Sequence, residues 1–445
     1  MLKFRDFRRI SELPTPFWYY DMDLFRSTVK RVAALSDRYG IGVHYALKAN
    51  VEPRIVQYIS SKGIGADCVS GNEVLYAAAH GFRPDTIVFA GVGKTDAEID
   101  AALDLGIEAF NVESLMELQV IDGLAARKGV RANVSLRINP DIDAHTHRYV
   151  TTGLYENKFG ISRHEFEAAV SIIKDSRALD FKGLHFHIGS QITDVDEVYS
   201  LECVRAAEIV AWFEEHGLKV GSIDLGGGLG VDYDDPDGNP VPDFEEWFRI
   251  IDRKLVRRGD QRVSIEPGRS LVAQCGSLVT RVLFVKNGET KTFLITDAGM
   301  NDLIRPALYG AYHKIENISA SYALPESVIG AEGEKECEGL AFPAVMGAEG
   351  EKSCHQTAVV AAGREDSGDG KPGDPHPRHG GWGGYDIVGP VCESSDVWGE
   401  GRVLPYTGRG DLLAIRSAGA YGSVMSSRYN LRDLATSYFS DDFAG

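Results

Sequence analysis

The chain has 445 residues, 43% of them hydrophobic, with a formal net charge of −18 and six cysteines. That length allows a large domain plus a second one. The acid excess, with no local basic block, argues against a nucleic-acid or anionic-membrane partner. The cysteines (Cys68, Cys203, Cys275, Cys337, Cys354 and Cys392) are scattered without a CxxC pair. This suits free thiols in a reducing compartment better than a disulfide framework or a zinc site, so no metal is expected. Residues 1–11 are charged and lack an apolar h-region, and no apolar run is long enough to span a bilayer. A cytoplasmic location without a membrane partner is the expectation.

Residues 13–20, Leu-Pro-Thr-Pro-Phe-Trp-Tyr-Tyr, read as one aromatic strand ahead of the main body. From Asp23 a helical pattern leads into a strand at 43–48, after which strand and helix signals alternate. Strand-like runs follow at 65–69, 86–90, 108–112, 133–138, 182–188, 221–226 and 262–266, with helical patterns near 52–62, 71–80, 95–105, 113–128, 163–176, 195–216 and 243–258. Eight strand candidates in strict alternation with helices predict a (β/α)8 TIM barrel over 23–275. The competitor is a doubly wound open sheet, which often carries a glycine-rich turn after its first strand; here that turn is Lys48-Ala49-Asn50.

Beyond Ser270 the chain turns β-rich, at 278–285, 292–297, 385–388, 403–406 and 411–415. A second, C-terminal β domain is predicted over 276–445, joined by the strand of segment 1–22. Within it, 316–383 is rich in Gly, Glu, Ala, Pro and Ser and contains Gly-Ala-Glu-Gly-Glu-Lys twice, at 330–335 and 347–352. Such a composition buries too little apolar surface to offset its ordering entropy, so a disordered insertion is predicted. The tail after Asn430 receives no assignment.

In such a barrel the active site lies at the C-terminal ends of the strands. Lys48 falls at the end of the first, Asp67 the second, His185-Phe186-His187-Ile188-Gly189-Ser190 the sixth, Gly226-Gly227-Gly228 the seventh and Glu266-Pro267-Gly268-Arg269 the eighth. Each has a plainer reading on its own. Lys48 could reach into solvent, Asp67 could cap a helix, and His187 could be structural. The glycines could form a flexible turn, and Glu266 with Arg269 a surface salt bridge. Burial of Lys48 would instead lower its pKa and make its amine a nucleophile. Lysine, phosphate cradle, flat imidazole and strand-end carboxylate at one rim together describe a pyridoxal phosphate pocket.

At this point the chain resembles the alanine-racemase-fold pyridoxal phosphate decarboxylases, and within them the branch acting on diaminopimelate. The matching stretches are His44-Tyr45-Ala46-Leu47-Lys48-Ala49-Asn50, Asn157-Lys158-Phe159-Gly160-Ile161, residues 185–190, 226–228 and 266–269. Further matches are 297–306 (Asp-Ala-Gly-Met-Asn-Asp-Leu-Ile-Arg-Pro), 389–396 (Gly-Pro-Val-Cys-Glu-Ser-Ser-Asp) and 418–422 (Ala-Gly-Ala-Tyr-Gly).

The resemblance implies decarboxylation of meso-2,6-diaminopimelate to L-lysine and carbon dioxide, the last step of lysine biosynthesis. It implies Lys48 as the attachment point of the cofactor, Glu266 as partner of the pyridine nitrogen and His187 against one ring face. Ser190, Gly226, Gly227, Gly228 and the backbone of Pro267, Gly268 and Arg269 would hold the phosphate, with Asp67 and Tyr421 also at the cofactor. Arg269, Arg305 and Tyr309 would bind the far carboxylate of the substrate, Glu393 its far ammonium, and Tyr421 would touch it. Cys392 would be the proton donor. In the family Cys392 and Glu393 reach the site from the other subunit, implying a homodimer with shared sites. The competing expectations are a carboxynorspermidine or ornithine/arginine decarboxylase, a racemase, and a non-catalytic homologue that binds the cofactor. Ornithine and arginine have no far carboxylate for Arg305, comparative turnover would separate carboxynorspermidine, and loss of Lys48 or Cys392 would mark a non-catalytic form. Both residues are present.

Overall fold

In the computed structural model the described residues are 7–140, 158–323 and 381–443. A short helix, Phe7–Ser11, precedes strand β1 (Phe17–Tyr20). Eight strands then alternate with helices: β2 (Ile41–Ala46), β3 (Gly65–Cys68), β4 (Ile87–Phe89), β5 (Ala109–Val112), β6 (Ala132–Arg137), β7 (Leu179–His185), β8 (Ser222–Asp224) and β9 (Arg262–Ile265). They close in chain order into a parallel barrel, β2 pairing back onto β9. Strands β4 and β5 are buried along their whole length, covered on both faces, which is why they read as continuous runs and not as period-two alternation.

The surrounding helices begin on caps that the sequence carries. Asp21 accepts from the N–H groups of Asp23 and Leu24 ahead of Met22–Tyr39, and Thr95 and Glu98 form a reciprocal capping box ahead of Asp96–Leu105. Ser70, and not Asp67, caps Gly71–Ala79, so the helix-cap reading of Asp67 is excluded. The first barrel strand stops at Ala46; Lys48 lies in the 3₁₀ turn Leu47–Ala49 that follows it.

The remaining strands are β10 (Gly276–Asn287), β11 (Thr292–Thr296), β12 (Ile315–Asn317), β13 (Trp382–Val388), β14 (Val397–Pro405), β15 (Leu412–Ile415) and β16 (Thr436–Phe439). They form one sheet in the order β12-β15-β10-β11-β13-β14, with β1 hydrogen-bonded antiparallel to β10 and parallel to β16. Strand β1 has all four side chains buried. Trp18 and Tyr20 belong to the large core shared with the barrel, while Phe17 and Tyr19 face a smaller core with Ile10, Val279 and Phe443. The period of two along one short strand thus serves two cores at once.

Two boundaries drawn from composition change. Residues 324–380 of the expected insertion lie outside the described residues, but its ends run in regular structure: β12, the helix Ile318–Ala323 and the start of β13. Ile315 and Ile318 are buried, and Asn317 donates to Thr407 Oγ1 at 2.9 Å. Short buried pieces of this kind vanish in a window average dominated by glycine and charge. The unassigned tail also has a place. Beyond β16, Ser440 Oγ accepts from Met22 N at 3.0 Å, Asp441 pairs with Arg26, and Asp442 with Arg54 at 2.7 Å.

Because Trp18 fills the seam between sheet and barrel, Trp18→Ala is expected to destabilise the protein by about 3–5 kcal/mol. Urea unfolding followed by fluorescence of the remaining tryptophans checks this; an unchanged midpoint would show that β1 does not join the two cores.

Candidate active site

The turn after β2 is fixed on every side. Asn50 N bonds Leu47 O at 3.1 Å, and Asn50 Nδ2 donates to Tyr20 Oη at 3.1 Å and to Gly419 O at 2.8 Å. Asn50 is buried, so these bonds anchor the lysine turn to β1 and to the sheet domain. Tyr421 N donates to Ala49 O at 2.8 Å while Tyr421 itself holds φ at 56°, a left-handed conformation that a tyrosine adopts only under constraint.

A cavity of about 480 Å³ opens at this mouth. Lys48, Asp67, His187, Ser190 and Glu266 line it from the barrel; Gly228, Gly268 and Arg269 line it from the turns after β8 and β9. Arg305, Tyr309 and Tyr421 complete it from the sheet domain. Gly226, Gly227 and Pro267 stand behind that wall, Pro267 O accepting from Ala46 N at 3.3 Å. Cys392 and Glu393 do not line it: they sit exposed in the β13–β14 loop. That loop is held from beneath by Asp396, which accepts from Met300 N and Val391 N at 2.7 Å each. Tyr429 Oη donates to Glu393, and Cys392 N to Asn430 Oδ1 at 3.2 Å.

The electrostatics correct one expectation. Lys48 Nζ lies 3.6 Å from Asp67 Oδ2. Desolvation alone would lower its pKa, but the charges of Asp67, Tyr421 and Glu266 outweigh that and raise it. Lys48 therefore waits as an ammonium beside a carboxylate, and a proton must leave Nζ before it attacks. Glu266 moves the other way from a normal acid: burial and Asp67 raise its pKa from 4.5 to about 8, against the pull of Lys48, His44 and Arg137. Its Oε2 is 3.0 Å from His185 Nε2, and Asn111 Nδ2 is 3.5 Å from Oε1. Burial lowers His185 to about 4, so that ring is neutral at pH 7.

His185, Asp224 and Glu266 bring ligand-type atoms within 4.8 Å of one another. Their oxygens are already engaged, Asp224 accepting from Gly226 N and Ser264 Oγ at 2.8 Å each. The trio thus braces the barrel interior beneath the cavity. His185, Asn111 and Tyr233 are site residues that sequence reasoning passed over. His185 stands inside a matched motif, two positions from His187, and was the one with a local signal.

A family model for the pyridoxal-dependent decarboxylase pyridoxal binding domain matches residues 25–273, and one for the C-terminal sheet domain of such decarboxylases matches 343–419. The chain belongs to the pyridoxal-dependent decarboxylases. It is 43% identical over 431 residues to a diaminopimelate decarboxylase of Bacteroides thetaiotaomicron, covering 97% of this chain and 96% of that one. A Helicobacter pylori diaminopimelate decarboxylase crystallised with L-lysine superposes with a TM-score of 0.78 at 34% identity, covering 98% and 94% of the two chains. A diaminopimelate decarboxylase from m. jannaschii in co-complex with L-lysine superposes with a TM-score of 0.78 at 29% identity, covering 98% of this chain and 90% of that one.

The residues present fit pyridoxal phosphate, the cofactor of this family. A Cβ on Gly227 would meet Glu266 O at 2.2 Å, and one on Gly228, at φ 109°, would meet Gly189 O at 2.7 Å. Only glycine lets this turn pack so tightly against the neighbouring backbone, the kind of tight, side-chain-free turn that suits a phosphate. His187 Nδ1 accepts from Gly227 N at 3.2 Å, which ties the imidazole to the same turn. Asp67 Oδ1, Arg269 Nε and Ser270 Oγ are buried without a partner among the described residues, donors and acceptors that a polar ligand would engage.

Because Glu266 is protonated when folded and ionised when unfolded between pH 4.5 and about 8, the unfolded state binds fewer protons there and stability falls as pH rises through that window. Glu266→Gln is expected to flatten this fall in cofactor-free protein. Thermal midpoints across the window check it, and parallel curves for the two proteins would refute it.

Proposed function

We propose that this chain decarboxylates meso-2,6-diaminopimelate to L-lysine and carbon dioxide, using pyridoxal phosphate. What carries the reading is a pair of buried guanidiniums, Arg269 and Arg305, on the wall of the cavity that also holds Lys48 and Glu266. A diamine-forming decarboxylase for ornithine or arginine has no second carboxylate to meet them, and an unanswered buried cation pair is costly. Diaminopimelate supplies that carboxylate, and the guanidinium fork matches it bidentately.

Bound pyridoxal phosphate supplies an electron sink for the carbon that loses carboxylate. Glu266 would pair with the ring nitrogen of the bound cofactor. Lys48 would hold the cofactor through Nζ, with Asp67 Oδ2 beside it at 3.6 Å to orient the amine. His187 would lie against one ring face. Ser190, the tight turn of Gly226, Gly227 and Gly228, and the backbone at Pro267, Gly268 and Arg269 would hold the phosphate, and Tyr421 would contact cofactor and substrate. Tyr309 joins Arg269 and Arg305 at the far carboxylate.

Two roles lie outside the cavity of a single chain. We infer that a homodimer brings Cys392 Sγ and Glu393 across from the partner subunit, the thiol delivering a proton to the decarboxylated carbon and the carboxylate receiving the far ammonium. The support is the braced loop that presents both side chains outward. Among the described residues no helix is long and apolar enough to cross a membrane, and Cys68, Cys203, Cys275 and Cys392 are free thiols, which suits a cytoplasmic setting.

Release of carbon dioxide from meso-diaminopimelate, with and without added pyridoxal phosphate, tests the function; no release with the cofactor present would reject it. Lys48→Ala is expected to lose both turnover and the visible absorbance of bound cofactor, and Cys392→Ala to lose turnover while keeping the absorbance. If the site is shared, unfolding and refolding these two inactive proteins together restores roughly a quarter of wild-type activity, since half the dimers are mixed and each holds one intact site. No recovery would place Cys392 in its own chain's site or outside the chemistry. Arg305→Ala is expected to raise KM for diaminopimelate at least about tenfold, the scale of a lost charged hydrogen bond.

A further inference from the structure

Two guanidiniums on one wall repel each other, and something must set their spacing before any substrate carboxylate arrives. Two residues with no part in the roles above stand where they can. Arg269 Nη1 donates to Tyr233 Oη at 2.7 Å and Arg269 Nη2 to Ser190 Oγ at 2.8 Å. The guanidinium carbon of Arg305 lies 5.0 Å from the centroid of the same Tyr233 ring. One phenol therefore touches both cations.

Behind Arg305 stands His313. Its Nδ1 is 2.8 Å from Arg416 O. A carbonyl only accepts, so Nδ1 carries the hydrogen and the lone pair sits on Nε2. That lone pair lies 2.9 Å from Arg305 Nη1, which donates to it. His313 packs edge-on against the Tyr233 ring with centroids 5.1 Å apart. Arg416 is itself held by Glu316 at 2.7 Å and Asp237 at 3.0 Å. Burial and the charge of Arg305 hold His313 far below its ordinary pKa, at about 3, so it does not add a third positive charge. The Tyr233 hydroxyl is pulled below its usual pKa by Arg269 and Arg305, although burial alone would raise it.

We infer that Tyr233 and His313 are positioning residues for substrate selection. Tyr233 spaces the two guanidiniums by holding Arg269 through its hydroxyl and Arg305 against its ring, and His313 fixes the rotation of Arg305 through a single obligate tautomer. Together they form, ahead of binding, a receptor for the carboxylate at the far end of the substrate, so that the ordering cost is met during folding and not during each encounter. This inference rests on the diaminopimelate reading above and deepens it.

The test uses the full-length holoenzyme and two inhibitors that differ only in the far carboxylate: L-lysine, which has it, and cadaverine, which does not. The variants are Tyr233→Phe, which removes the hydroxyl that holds Arg269 and keeps the ring beside Arg305, and His313→Asn, which keeps a donor for the Arg416 carbonyl and removes the Nε2 acceptor for Arg305. Retained visible absorbance of bound cofactor establishes that each variant is folded. The expected result is inhibition by L-lysine weakened about tenfold or more in both variants, with cadaverine inhibition within about twofold of wild type. KM for diaminopimelate rises in step with the L-lysine constant, while kcat changes much less. Equal weakening of both inhibitors, or no weakening of either, overturns the inference. The outcomes separate from those for the function itself: a wild-type protein that releases no carbon dioxide from diaminopimelate rejects the activity, whereas an active wild type with unaltered variants rejects only the positioning role.

Discussion

The parallel pairing of β2 with β9, Ile41 opposite Val263 and Val43 opposite Ile265, is the constraint on which the site depends. It closes the barrel between its first and last strands, and the bond from Ala46 N to Pro267 O carries the closure one step into the loops. Lys48 and Glu266 are thereby made neighbours of one cavity, although they lie at opposite ends of the barrel sequence. An open sheet would leave those strands at or near separate places in its order, and the amine and the carboxylate could not address one small ring. Closure also removes exposed strand edges, so the rim can carry strained turns such as Gly226–Gly228 without inviting further pairing.

Closure has an electrostatic consequence. It collects Asp67, Asp224 and Glu266 in the barrel interior, where the charge of Asp67 opposes ionisation of Glu266 and that of Glu266 opposes ionisation of Asp224. The barrel answers with cations at two depths. His44, beneath the mouth, is raised to about 9 by Glu108 at 2.9 Å and by Asp224, despite burial that would lower it. Arg137, near the mouth, pairs with Glu113 at 2.7 Å. Lys48 is the cation that stays partly exposed, at 40%, on the cavity side. It is thus both the counter-charge that makes the acid cluster tolerable and the group with room to react. Its raised pKa follows from the first role and sets the requirement of the second, a nearby acceptor for its proton.

The barrel was legible in the chain because its strands are enclosed on both faces and its helices carry their own caps; Ile87–Phe89 and the Thr95–Glu98 box are local signals that need no partner to be recognised. The rim residues were legible as members of quoted motifs. What escaped depends on distant partners. Strand β16 contains Thr-Ser-Tyr-Phe, too short and polar to announce itself, and it exists because it pairs with β1 more than four hundred positions earlier, Tyr20 opposite Phe439. Strand β12 is three residues long and lies where composition suggested no order. The pKa of Lys48 was misjudged for a related reason: burial was visible in its apolar context, but the carboxylate that overrides burial arrives from β3 through tertiary structure.

The same distinction explains why Tyr233 and His313 left no trace in the motif reading. Neither is next to a catalytic residue in sequence, and each works through partners distant in the chain: Tyr233 through Arg269 at the start of the short helix after β9 and, across the domain boundary, Arg305 and His313 of the sheet domain. The cavity is therefore a joint between two folding units, fastened at Tyr421–Ala49 and at Asn50–Gly419. A joint of this kind separates two tasks physically. On the reading proposed above, the barrel side carries Lys48 and Glu266, the groups that would meet the cofactor, together with Arg269 and Tyr233. The sheet side adds Arg305 and Tyr309 to the wall that would meet the far end of the substrate, with His313 hydrogen-bonded to Arg305. Changes in substrate length or charge can then arise on the sheet side with the reacting centre left intact, because the hydrogen bonds that fix Lys48 and Glu266 do not pass through Arg305.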